Sequence, residues 1–593
     1  MQRPLRAFAP RSRNLLVAVV FCLIFFYLLR WSDNHGHVTL ESAALERHMN
    51  SGPLSHPLTL VKSSVDWGNV EYRYPAQEPL TPVPAPPAKP LPRVQHQFGP
   101  ESTRTSRVRE GRRKAVKDLT VKSWNAYRKY AWKQDALLPL SARGRDQFSG
   151  WAATLVDSLD TLWMMGLRDE FDEAVAAVAQ IDFGNSTAPQ VNIFETNIRY
   201  LGGLMAAYDL SKREVLLQKA IELGDLIYGG FNTANRMPVD SIAFDAAKAG
   251  TGLHVEEQVV SASPGTLSLE MTRLSQLTGN PKYYDAIVKV TDLFHRGQNS
   301  TRLPGLFPMF VSMLNKNVVA GGDFTLAGCA DSLYEYFPKM HALLSGAVPQ
   351  YRDLTLGFIA AAKKHIFFRP MIPEDDVDIL IAGNVRVAND NVPVLDPESE
   401  HLACFIGGTV ALAGRLLERE EDVQVGARLA RGCAYAYRSF PTGVMPERFN
   451  MVPCREGACK WDEERWVEER QKRPEWKAHL PKGFTTAKDP RYILRPEAIE
   501  SVFYMWRITG EEEWSETAWD MFVAVANATA TDVAAAAVRD VTVAREFVAW
   551  EDYMESFWIA ETLKYFYLAF SPPDLISLDK YVLNTEAHPF LRP

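Results

Sequence analysis

A loose helical hairpin recurs along this 593-residue chain. Leu274-Ser275-Gln276-Leu277-Thr278-Gly279 leads into Tyr283-Tyr284-Asp285-Ala286-Ile287, and Met505-Trp506-Arg507-Ile508-Thr509-Gly510 into Trp514-Ser515-Glu516-Thr517-Ala518. Met164-Met165-Gly166-Leu167 leads in the same way into Phe171-Asp172-Glu173-Ala174-Val175. Each string reads as an apolar helix, a glycine stop, a short turn and a second helix that opens on an aromatic residue. Further helices are expected over 198–210, 214–227, 354–366, 407–418 and 423–440, whereas alternating β-branched runs are short and scarce. Hairpins repeated over about 480 residues form either an open solenoid or a closed α/α toroid.

Acidic residues choose between the two. Glu195, Asp331, Glu497, Glu555 and Glu561 stand in apolar, aromatic-rich stretches where Leu or Val would be ordinary. Carboxylates are almost never fully buried without a partner. These five lie near helix ends or turns of different hairpins, and a toroid aims such ends at one central cavity. An all-α toroid is therefore expected, with a carboxylate-lined pocket of the kind glycosidic bond cleavage requires.

The composition, 47% hydrophobic and 23% charged with a net charge of −7, is that of a globular chain. No basic stretch outside the stem suits a nucleic-acid backbone, which excludes that class of partner. Residues 15–29 are uninterrupted apolar and follow Arg3, Arg6, Arg11 and Arg13. A cleaved signal peptide and a signal anchor compete here. Arg30-Trp31-Ser32-Asp33 follows instead of a small-x-small cleavage site, so the anchor is expected, with residues 1–14 cytosolic and the remainder luminal. At about 1.5 Å per residue the span falls short of a core of about 30 Å and suits a thin early-secretory bilayer. Nine prolines between Pro75 and Pro100 mark residues 30–104 as a disordered, extended stem. The basic run Arg104 to Lys133, with Trp124, Tyr127 and Trp132 on one face, begins the domain at about residue 105.

Cys22 lies in the apolar span, which leaves five luminal cysteines. Cys404 and Cys433 form one possible pair, Cys454 and Cys459 another, with Cys329 left over beside Asp331. Sequons at Asn185, Asn299 and Asn527 permit N-glycosylation and agree with a luminal domain.

Seven strings in order resemble the class I α-1,2-mannosidases, glycoside hydrolase family 47. They are Ser158-Leu159-Asp160-Thr161-Leu162-Trp163, Phe194-Glu195-Thr196-Asn197-Ile198-Arg199-Tyr200-Leu201-Gly202-Gly203, Ala330-Asp331-Ser332-Leu333-Tyr334-Glu335-Tyr336 and His401-Leu402-Ala403-Cys404-Phe405. Arg495-Pro496-Glu497-Ala498-Ile499-Glu500-Ser501, Glu561-Thr562-Leu563-Lys564-Tyr565-Phe566 and Asn584-Thr585-Glu586-Ala587-His588-Pro589 complete the set. The resemblance spans about residues 105–590. It implies an (αα)7 barrel plugged by its C-terminal segment, inverting hydrolysis of terminal α-1,2-linked mannose from high-mannose N-glycans, and bound Ca2+.

Inversion needs a carboxylic acid for the leaving oxygen and a carboxylate for the attacking water, about 6.5–9.5 Å apart. By resemblance Glu497 is the base, Glu195 the acid, and Asp331 a positioning group or alternative acid. Glu195 and Arg199 also have the spacing of a simple helical ion pair. Thr585 is the implied calcium ligand through hydroxyl and carbonyl oxygens, with Glu561 and Glu586 holding coordinating waters. Arg495 and Glu500 cluster with Glu497, and Glu270 and Glu447 match positions that line the cavity. His401 is either a satisfied structural histidine or a substrate contact, and Trp558 and Phe405 are either core or a platform for the sugar. Cys404–Cys433 matches the family disulfide. Many endoplasmic-reticulum members carry Arg before the Ala-Asp-Ser motif, where this chain has Gly328-Cys329, which implies broader, Golgi-type trimming.

The expected molecule is a calcium-dependent α-1,2-mannosidase of the endoplasmic reticulum or Golgi, anchored in the bilayer with type II topology and a monomeric catalytic domain. The rival is a lectin-like quality-control factor on the same barrel, whose signature would be loss of catalytic carboxylates; all three are present.

Overall fold

The computed structural model describes residue 56 and residues 58–593 apart from 375, 456–458 and 474–478. The cytosolic tail, the apolar span 15–29, Cys22 and the first part of the stem lie outside the described residues. Among those described, no helix is long and apolar enough to cross a membrane.

Helix α1, Thr103–Tyr130, is followed by six hairpins. These are α2 Leu159–Met164 with α3 Arg168–Val178, α4 Gly202–Ser211 with α5 Glu214–Gly229, and α6 Ser268–Thr278 with α7 Lys282–Gly297. Next come α8 Asp331–Leu343 with α9 Pro349–His365, α10 Ile406–Leu416 with α11 Glu420–Ser439, and α12 Glu497–Thr509 with α13 Glu512–Thr529. The last helix, α14 Leu563–Ala569, packs back on α1 and so makes the seventh pair. The even-numbered helices contact one another in cyclic order, and the turn Trp558–Thr562 ahead of α14 returns to α2. The hairpins therefore close into an α-helical barrel.

Burial explains the two layers. Inner helices are apolar nearly all round; in α10 every residue but Arg415 is buried. Outer helices bury one stripe, as α7 does with Tyr283, Tyr284, Ile287, Val290 and Phe294. Gly166, Gly279 and Gly510 end their helices at φ of 70°, 70° and 71°, the left-handed stop read from the sequence. Gly407 and Gly426 let α10 and α11 touch backbone to backbone, since a Cβ on Gly426 would stand 2.5 Å from the Gly407 carbonyl oxygen. Cys404 and Cys433 are joined across this same pair with Cα atoms 6.0 Å apart, Cys454 is bonded to Cys459, and Cys329 is free. The C-terminal strands Tyr581–Leu583 and Pro589–Leu591 form an antiparallel hairpin set against α4 and α8, which plugs the barrel from within. Asn185, Asn299 and Asn527 are all exposed.

The disordered-stem expectation fails for the described part. Residues 58–100 form a strap along the domain. The Val61 amide donates to Ala179 O at 2.8 Å, Tyr74 N to Asn232 Oδ1 at 2.9 Å, Thr81 N to Asp285 Oδ1 at 3.0 Å and His96 N to Arg507 O at 2.8 Å. Buried Lys219 donates to the Val61 and Ile181 carbonyls. Proline keeps most of the segment extended, with few internal hydrogen bonds to satisfy its amides beyond the turn at Trp67–Asn69, so the barrel supplies acceptors. Trp67 is the apolar anchor: 3% exposed, its ring tilted against Phe244 at 5.5 Å, its Nε1 donating to Phe183 O at 3.0 Å. Trp67→Ala should cost roughly 3 kcal/mol of stability, read as a lower denaturant midpoint. An unchanged midpoint would show that the strap does not hold the domain in solution.

Candidate active site

The carboxylates converge at the inner helix ends. Glu497 is the first residue of α12, behind Pro496. Its Oε2 is 2.8 Å from His401 Nδ1, and its Oε1 is 3.7 Å from Arg495 Nη1. Burial pushes this carboxyl up, but the His401 hydrogen bond and the Arg495 charge outweigh it and hold Glu497 below the ordinary glutamate value. His401 is itself fully buried, with Nε2 2.7 Å from the Tyr437 hydroxyl. It is thus a structural histidine that orients and ionises Glu497 from behind and has no surface open to substrate.

Asp331 opens α8, and its Oδ1 accepts the Ser332 amide at 2.9 Å. Here burial wins. Together with the charges of Glu335 and Glu497 it raises the carboxyl to about 7, against the pull of the Ser332 amide and Arg495. Glu195 ends the short helix Ile193–Glu195, whose cap is Asn192: Oδ1 accepts the Glu195 amide at 2.9 Å. Its Oε2 accepts from Arg199 Nε at 2.7 Å, so the spacing-based ion pair is real. Yet that pair is no surface feature. Arg199 is buried, donates through Nη1 to Glu586 Oε2 at 2.9 Å, and has its guanidinium 5.3 Å from the centre of the Phe148 ring and 5.8 Å from that of Phe557. One arginine thereby ties the first carboxylate to the C-terminal plug.

Thr585 is half-buried at the tip of the plug, its amide 3.4 Å from the Tyr336 hydroxyl. Asn584 anchors it by donating to Ile198 O at 2.9 Å and Glu270 Oε1 at 2.8 Å. Buried carboxylates crowd around. Burial raises Glu270 to about 7 and Glu500 to about 8, and raises Glu561, which shares a hydrogen bond with Glu586. The cations among them are Arg199 and fully buried Lys339, which pairs with Glu335 and lies 3.6 Å from Glu500. Among the described residues no three His, Cys, Asp or Glu side chains are grouped to hold a metal. Any cation at Thr585 would meet hydroxyl, carbonyl and water oxygens before carboxylates.

This geometry has a known counterpart. Residues 119–592 match the family model described as Glycosyl hydrolase family 47. The chain belongs to that family. It is 34% identical over 81% of its length to 92% of a probable mannosyl-oligosaccharide alpha-1,2-mannosidase 1B of Aspergillus flavus. It is 31% identical, over 81% of its length, to 64% of the endoplasmic reticulum mannosyl-oligosaccharide 1,2-alpha-mannosidase of Homo sapiens. Its structure resembles that of an alpha-1,2-mannosidase from Trichoderma reesei with a TM-score of 0.72 and 32% identity, over 82% of this chain and 99% of that one.

Several residues read from the sequence as cavity-lining are buried and hydrogen-bonded within the protein. Glu270 is 0% exposed and accepts from Tyr336, Asn584 and Asn197 at 2.6–2.8 Å, so it supports the plug. Glu447 is buried and braces Arg495, and Glu500 is buried and accepts from Tyr565 at 3.1 Å. Trp558 is 0% exposed and donates to Ser123 Oγ of α1 at 3.1 Å, and Phe405 is 3% exposed; neither offers a face to a sugar. Phe557, which the sequence reading passed over, lies within 6 Å of both Arg199 and Arg495 instead. Glu555, left without a role, feels the charges of Arg199, Arg495, Glu195 and Glu447, and burial raises it to about 7. Also passed over were buried Lys339 and Lys564; the latter donates to Asp160 Oδ2 at 2.8 Å, beside His588 at 3.0 Å from both Asp157 and Asp160. A lysine inside an apolar helix is the same signal that found the acids.

The profile of kcat/KM against pH should be a bell. Its acid limb reports Glu497 and its alkaline limb, near 7, Asp331. Removing the His401 hydrogen bond disfavours the ionised form of Glu497 and raises its pKa, so His401→Phe should move the acid limb to higher pH. A limb that stays in place would refute the orienting role.

Proposed function

We propose that the chain is an inverting exo-α-1,2-mannosidase that trims high-mannose N-glycans. The observation that carries this is the contrast between two carboxyls at inner-helix ends: Glu497 lies 2.8 Å from His401 and 3.7 Å from Arg495, which hold it low, whereas burial raises Asp331 to about 7. Glu497 takes the proton of the attacking water. The resting proton is assigned to Asp331, whose carboxyl burial raises, and Glu195, which accepts from Arg199 Nε at 2.7 Å, places that guanidinium toward the leaving oxygen.

The residues around Thr585 fit a hard cation held largely through water. Thr585 offers hydroxyl and carbonyl oxygens, and Glu270, Glu500, Glu561 and Glu586 outnumber the nearby cations. Calcium bound there would hold the sugar's vicinal hydroxyls and favour ring distortion. Exposed sequons, the two disulfides and the relatives' names support a secretory-pathway lumen, reached through a type II anchor at residues 15–29.

On a nine-mannose glycan the enzyme should release mannose with inverted anomeric configuration, followed by NMR, and a calcium chelator should abolish release. Activity that survives the chelator would refute the metal, and binding without release would favour the lectin reading. Half-buried Cys329, at φ +80° two residues before Asp331, leaves room where an arginine would grip the glycan arm. Cys329→Arg should narrow the set of linkages cleaved on the same substrate. An unchanged product ladder would refute a specificity role for this position.

A further inference from the structure

The strap does more than lie on the barrel. Its last residues, 93–98, bind three elements where they meet. The amides of Val94 and Gln95 donate to Asp579 Oδ1 at 2.7 and 3.2 Å, and Arg93 Nε lies 3.3 Å from Oδ2 of the same residue. Gln95 is 6% exposed and uses both ends of its amide: Nε2 donates to Pro573 O at 2.8 Å, and Oε1 accepts from Leu578 N at 3.2 Å and Arg507 Nη1 at 3.3 Å. Arg507, in the last turn of α12, is fully buried and also reaches Leu568 O at 2.9 Å and Leu575 O at 3.2 Å. The Phe98 ring packs tilted against Trp506 at 5.0 Å, and the His96 ring covers Gly510, where a Cβ would stand 2.4 Å away.

The three elements share one property. Each carries part of the active site at its other end. Helix α12 starts with Glu497 and Glu500, α14 follows Glu561, and the segment 573–579 runs into the plug that bears Thr585 and Glu586. Hydrogen bonds from Gln95 and to Asp579 hold the root of the plug against the ends of α12 and α14. These contacts come from a segment N-terminal to the family match at 119–592.

We propose that residues 93–98 are a latch that positions the plug, with Gln95 and Asp579 as its positioning residues. Without it the plug's root is free to shift, and Thr585 and Glu586 lose their register with Glu497, Glu500 and Glu561. The part of this inference that concerns calcium rests on the function proposed above, whereas the part that concerns plug mobility does not.

Hydrogen exchange in the full chain tests it. Gln95→Ala should speed exchange of the Leu578 amide and of residues 581–591 by about tenfold or more while the remaining helices keep their protection. Calcium chloride titrated against thermal unfolding should reach its half-effect at a several-fold higher concentration. Gln95→Glu keeps the acceptor for Leu578 and Arg507 but loses the donor to Pro573 O, so both readouts should fall between those of the natural protein and Gln95→Ala. Trp67→Ala, at the strap's far end, should lower the melting temperature without loosening the plug. Unchanged plug exchange in Gln95→Ala would overturn the latch, as would acceleration spread evenly over all helices. If calcium has no effect on any variant, the metal reading fails while the exchange comparison still decides the latch.

Discussion

Everything in this molecule answers to one electrostatic problem: keeping a knot of carboxylates in the interior of a helical barrel. An isolated buried charge costs several kcal/mol or more. Three solutions operate side by side. Arg199 and Arg495 neutralise the acids nearest the substrate, and Lys339 and Lys564 neutralise those deeper in the wall. The remaining acids are pushed toward protonation by burial itself, as Asp331, Glu270 and Glu500 are. The proposed reaction would use the difference between these solutions, because two carboxyls with opposite environments can serve as an acid and a base.

The same problem explains why the plug is so elaborately tied. A strand hairpin inside a helical barrel brings backbone amides and carbonyls into a place where helices offer no free partners. Asn584 supplies several at once. Its side chain bonds Ile198 and Glu270 on one side and accepts the amides of Glu586 and His588 on the other. His588 then spans Asp157 and Asp160, two acids of the first inner segment. The plug is part of the barrel wall in all but connectivity.

Much of this was legible in the chain. Glycine stops at Gly166, Gly279 and Gly510 located the hairpin turns, and acids in apolar company located the pocket. Periodicity does not say which neighbour an inner-helix residue meets, and so Trp558 read equally as core or as a sugar platform until its contact with α1 placed it in the core. The strap was misread because proline content was weighed and the anchors Trp67, Tyr74 and Phe98 were not. Thr585 had no local signal at all. Only the resemblance of its motif placed it, since a hydroxyl near a chain end looks the same whether it coordinates an ion or frays into solvent.

The pairing of α14 with α1 sets when this protein can become itself. Trp558 and Ser123, which meet across that seam, are 435 residues apart in sequence. A chain made from its N-terminus onward has therefore completed six hairpins before the helix that closes the ring exists. Until then the inner helices line an open trough, with their apolar flanks and carboxylates facing water. Ring closure, a single contact of very long loop, is the step at which the barrel core dries.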